Sequence, residues 1–94
     1  LKWKYWNITW PDITCFQEAV VIIKSGGIDE FYEWQRRQDE EKRRRLVKVV
    51  CQVKGIKYSE EHYRKNSMVS VNDVRLVLKE LGVDVFIDDV EVNL

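Results

Sequence analysis

The chain has 94 residues, 45% hydrophobic and 34% charged, with sixteen Lys and Arg balanced by sixteen Asp and Glu. That is a globular composition. It excludes a disordered chain, gives enough length for one domain over residues 1–94, and excludes a surface built entirely to hold polyanions. No apolar run approaches the ~20 residues of a membrane span and no leader pattern is visible, so the expectation is a cytoplasmic protein without a membrane partner.

Taken in chain order, Lys2–Trp10 alternates. Trp6, Ile8 and Trp10 share one face of a predicted strand, and Trp3, Tyr5, Asn7 and Thr9 share the other. Pro11 ends it and suits the first turn of a helix, for which Asp12 or Thr14 is the candidate cap; Gln17 stands at capping-box spacing from Thr14. Ile13, Phe16, Val20 and Ile23 repeat at helical spacing, and Ser25-Gly26-Gly27 closes the helix. Asp29 caps a second predicted helix, apolar at Ile28, Phe31, Tyr32 and Trp34. Its continuation, residues 35–45, has nine charged residues in eleven and none apolar, so it reads as a helix that leaves the core and runs through water. Asp39–Arg43, Glu40–Arg44 and Glu41–Arg45 are acid-first i,i+4 pairs, each worth ~0.2–0.5 kcal/mol.

From Leu46 the period shortens. Val47, Val49, Cys51 and Val53 alternate with Lys48, Val50, Gln52 and Lys54, which predicts a hairpin turning at Lys54-Gly55 and returning from Ile56 towards Arg64, with a bulge near Ser59. Ser70-Val71-Asn72-Asp73 is a capping box before the stripe Val71, Val74, Val77, Leu78 and Leu81. The tail Val83–Leu94 alternates again, with Asp88-Asp89 as a hairpin turn or bulge. The expected architecture is therefore α+β: a single small domain with an antiparallel or mixed sheet and helices on one face. A ferredoxin-like βαββαβ order with an inserted charged helix is one form of it.

Cys15 and Cys51 form no CxxC pair, and His62 is the single histidine. No zinc spacing results, no cofactor is implied, and both cysteines read as buried free thiols of a reducing compartment. His62, Glu60, Tyr58 and Cys51 share one face of the predicted hairpin, but no nucleophile–base signature or phosphate loop accompanies them, so an enzyme is not expected.

Charge is distributed unevenly: residues 1–34 are net −2, residues 35–65 net +6 and residues 66–94 net −4. The basic run reads either as a solvated face attracted to the acidic tail or as a contact surface. Eleven aromatic residues, four of them Trp, exceed what a small core hides comfortably, and aromatic residues and Arg are enriched at interaction hot spots. The expected function is that of a small non-enzymatic regulatory protein acting through protein–protein contacts, with homodimerisation open. The alternative is nucleic-acid binding through the basic helix 36–45 and the N-terminal aromatic strand. For both, the candidate residues are Trp3, Tyr5, Trp6, Arg36, Arg37, Lys42, Arg43, Arg44 and Arg45.

Overall fold

The computed structural model describes residues 7–82, and the expectations for the opening strand at 1–6 and for the tail at 83–94 lie outside them. Among the described residues there are four α-helices and no strand: α1 (Trp10–Arg37), α2 (Glu40–Lys54), α3 (Glu60–Lys65) and α4 (Val71–Glu80). The α+β expectation, sheet and ferredoxin-like order included, is thereby overturned for this region. What was expected to be a sheet-covering pair of stripes is instead helix packed on helix.

The N-terminus of α1 is set by Thr9, not Asp12 or Thr14. Thr9 holds extended backbone, and its amide and hydroxyl both donate to the Asp12 carboxylate, at 2.9 and 3.1 Å. Trp10 is therefore the first helical residue and not a strand residue, and Pro11 sits in the first turn, where its missing N–H costs nothing. The expected stripe Ile13, Phe16, Val20 and Ile23 is buried. Gly27 interrupts α1 with φ +81° and ψ −172°, a conformation that disfavours any L side chain, so the two helices expected on either side of Ser25-Gly26-Gly27 are the two arms of α1.

The second arm does not run out into water. It ends at Arg37, and Asp39 starts α2 by accepting the Lys42 amide at 2.8 Å, so the charged stretch 35–45 is split between two helices. Gln35, expected to be solvated, is 1% exposed. Its amide nitrogen donates to the Val69 carbonyl at 2.9 Å and its amide oxygen accepts from the Val69 N–H at 2.8 Å, which ties α1 to the segment before α4.

The predicted hairpin is α2 followed by α3. Leu46, Val47, Val49, Val50 and Cys51 are all buried, a pattern no strand can present to one face. The polar positions Glu41, Arg45, Lys48 and Gln52 recur at intervals of four, three and four, which is a helical ridge. Gly55 does adopt positive φ, +76°, but as a helix terminator: its N–H donates to the Gln52 carbonyl and the Ile56 N–H donates to the Cys51 carbonyl, the Schellman closure. Ser59 caps α3 by accepting the His62 amide at 3.0 Å and forms no bulge. The Ser70–Asp73 capping box forms as expected, with both reciprocal bonds near 3.0 Å.

The core unites α1, α2 and α4. Phe16, Phe31, Val74, Val77 and Leu78 are wholly inaccessible. α4 packs against α1 and α2. Lys54 at the end of α2 pairs with Asp73 at the start of α4 at 2.7 Å, so α4 runs back along α2.

Candidate protein-contact surface around Trp10

The first turn of α1 carries the most exposed large apolar side chain among the described residues: Trp10 is 75% exposed. Thr14, Gln17 and Val21 follow it at i+4, i+7 and i+11, on the same outward face, and all are exposed; Val21 is 63% exposed. Open hollows flank the tryptophan. One, of about 520 Å³, is lined by Ile8, Thr9, Trp10, Pro11 and Ile13, and another, of about 380 Å³, is bordered by Thr14, Cys15, Glu18 and Lys42. Beyond Pro11 a third, of about 300 Å³, reaches Phe16, Leu46 and Val49 and is ringed by Asp12, Asp39, Glu41, Lys42 and Arg45.

Most of the predicted basic residues are engaged within the fold. Arg45 grips Asp12 with two bonds, Nε–Oδ1 at 2.9 Å and Nη2–Oδ2 at 2.7 Å, and Nη2 also donates to the Asn7 carbonyl at 2.7 Å. It clamps the entry of α1 onto α2 and does not take the expected Glu41 as its partner. Arg44 does pair with Glu40 as expected, at 2.5 Å. It also reaches Glu60 at 2.6 Å and lies 5.0 Å from the centre of the Tyr63 ring, fastening α3 to α2. Arg36 and Arg37 share Glu33, at 3.0 and 3.6 Å, on the far arm of α1. Arg43 is half-buried, and its Nε has no hydrogen-bond partner among the described residues. Lys42 is exposed and makes no ion pair among the described residues. The predicted cluster is thus dispersed over two helices and several partners. Trp3, Tyr5 and Trp6 lie outside the described residues. Sequence reasoning placed Trp10 in the aromatic strand but did not choose it as a site residue; the signal available was its position beside Pro11, at the start of a helix whose buried stripe excludes it.

Burial opposes ionisation of Asp12, but the hydrogen bonds from Arg45 and the Thr9 amide outweigh it and hold this carboxyl below the usual carboxylate range. Asp73 behaves alike: burial raises it, and Lys54 and the Ser70 amide lower it further. A depressed folded-state value means that each carboxylate stabilises the fold above the unfolded value near 3.9, and that this contribution is lost as pH falls through the folded value. Asp12→Asn is expected to cost about 1.5–3 kcal/mol at pH 7, the worth of hydrogen bonds to a charged group, and to flatten the loss of stability below about pH 4. Urea titrations between pH 7 and pH 3 read both effects; an unchanged pH profile contradicts the role of the pair.

The chemistry considered for the hairpin face is rearranged. The Tyr58 hydroxyl donates to Glu60 at 3.1 Å, and Glu60 is occupied by Arg44. His62 and Cys51 border a small hollow of about 190 Å³ with Lys54 and Asp73. Burial raises the thiols of both Cys15 and Cys51, and both are free and buried as expected. No group of three or more His, Cys, Asp or Glu suited to a metal occurs among the described residues, and no described helix is long and apolar enough to cross a membrane.

Comparison with known proteins gives no matching family model, no matching curated protein and no matching solved structure.

Proposed function

We propose that this chain is a small non-enzymatic, regulatory protein-binding domain whose contact surface is the outward face of α1, anchored by Trp10. The exposure of Trp10 carries the reading. A helix that buries its Ile13, Phe16, Val20 and Ile23 stripe has no internal use for a largely exposed indole between open hollows, and Trp is among the residues most enriched at interaction hot spots. Lys42 on the rim adds a positive charge free to pair with a carboxylate across an interface. The two buried thiols favour a reducing compartment such as the cytoplasm. The nucleic-acid alternative is less favoured, because Arg36, Arg37, Arg44 and Arg45 already hold carboxylates.

A pull-down with the wild-type chain and with Trp10→Ala, each with and without nuclease, tests the proposal. The expected result is a stoichiometric protein partner that survives nuclease and is lost with Trp10→Ala, whose melting curve stays within about 0.5 kcal/mol of wild type because an exposed side chain contributes little to the fold. Capture abolished by nuclease, or unaffected by Trp10→Ala, overturns it.

A further inference from the structure

We infer that Gly27 is a hinge for arm exchange: when α1 straightens there, its first arm leaves its own bundle and takes the same place in a second copy of the chain, giving a swapped dimer. The bend at Gly27 is what keeps the chain a monomer.

The first support is the backbone. Gly27 is the one residue within α1 that departs from helical geometry, at φ +81° and ψ −172°, and helix continues on both sides of it. That region of backbone space is essentially closed to other residues. A Cβ on Gly27 meets nothing within 4 Å, so the bend itself, and no neighbour, demands glycine there. Gly26 serves the bend differently. A Cβ built on it falls 2.5 and 2.6 Å from the Glu30 Cγ and Cβ, far inside contact distance. In a straight helix, residues four apart hold their Cβ atoms ~5–6 Å apart and the conflict is gone. The bent form therefore requires both glycines, and a straight helix requires neither.

The second support is the apolar pattern. Ile13, Phe16, Val20, Ile23, Gly27 and Phe31 follow one another at steps of three or four. That is the stripe of a single helix, running through the bend without a break. A straight α1 of 28 residues is ~42 Å long, against 34 Å for the longest principal axis of the Cα trace. Straightening therefore swings the first arm off the bundle and uncovers Ile13, Phe16, Val20 and Ile23, all buried in the bent form. The surface already shaped to cover them is the bundle of another copy that has released its own arm. Every contact of the arm is then remade between copies, the Asp12–Arg45 pair included. Each lobe of the dimer keeps one Trp10, so exchange makes that surface bivalent. This consequence rests on the reading of Trp10 as a contact residue; the exchange itself does not.

Size-exclusion chromatography with light scattering on the wild type and on Gly26→Ala/Gly27→Ala tests the hinge. The wild type is expected at the 11.3 kDa of one chain, and the double variant at twice that mass with undiminished helix content by circular dichroism. A second measurement identifies the exchange. In the double-variant background, a chain with Asp12→Arg and a chain with Arg45→Asp are refolded separately and together. Alone, each sets like charges against one another where α1 enters the bundle. In a swapped dimer of the two, both lobes hold opposite charges there, so the mixture is expected to give mixed dimers in excess of random pairing. A wild-type dimer overturns the inference, and so does a double variant that stays monomeric or loses its helix. A dimer whose two charge variants do not prefer each other overturns it as well, because that dimer joins intact bundles by their surfaces. None of these outcomes involves the partner sought with Trp10→Ala, so the two readings fail separately.

Discussion

Val77→Asp is expected to abolish the cooperative thermal transition. Val77 is wholly buried on α4, between the two helices it packs against. A carboxylate there either remains charged at a prohibitive desolvation cost or takes up a proton, and the neutral acid still lacks a hydrogen-bond partner. Together with the lost methyl contacts, the cost is about 5 kcal/mol or more. A chain of this length has a total stability of roughly 5–14 kcal/mol. Val77→Ala leaves only a small cavity and is expected to keep a cooperative melt with a lower midpoint. Far-UV circular dichroism on the three proteins distinguishes the cases. A wild-type midpoint for Val77→Asp would remove α4 from the core.

Gln35→Ala is expected to cost about 2–4 kcal/mol, far more than an exposed glutamine. Its amide satisfies both the N–H and the C=O of Val69, a residue that is itself buried. Truncation leaves two backbone groups without partners, each costing about 1–3 kcal/mol, reduced where water enters the space. Gln35→Glu separates the two bonds: its carboxylate still accepts from the Val69 N–H but meets the Val69 carbonyl without a proton to donate. It is expected to be destabilised at pH 7 and to recover as pH falls and the acid protonates. Guanidinium melts of the three proteins at pH 7 and pH 5 measure this. A Gln35→Ala value below 0.5 kcal/mol would mean the clamp contributes nothing net, the usual limit for a surface position.

The parts of the fold legible in the sequence were those marked by two independent signals. The stripe from Ile13 to Ile23 has helical period and a glycine stop, and the stripe from Val71 to Leu81 has helical period and a capping box; both are buried helices. Residues 46–54 misled because Val is β-branched and alternates with Lys and Gln there, which mimics a strand. Val50 breaks that alternation, and Glu41, Arg45, Lys48 and Gln52 already trace a helical ridge. Gly55 fits the expected hairpin turn and the observed helix end equally well, since both make the same demand of positive φ on glycine. Packing within α2, α1 and α4 decided between them, and packing is not visible in a nine-residue window.

The candidate site was less legible for a related reason. Counting arginines located a basic segment, but not the carboxylates that fold against it: Asp12 is thirty-three positions from Arg45, and Glu60 sixteen from Arg44. Long-range pairs of this kind turned two of the predicted contact residues into fasteners between helices. Trp10 is obscured for a different reason: its alternation with Trp6 and Ile8 suggests a shared strand face, whereas it begins a helix.

The two buried thiols give the molecule a pair of built-in clocks. Cys15 borders the hollows at the first turn of α1, and Cys51 borders the hollow closed by Lys54 and Asp73, so each reports a different seam of the bundle. Burial keeps both in the protonated, slow-reacting form, and a thiol reagent can label them only when the surrounding structure opens. The two labelling rates therefore measure separately how often the entry of α1 and the α2–α4 junction come apart, in the unmodified chain and at any temperature below the melt.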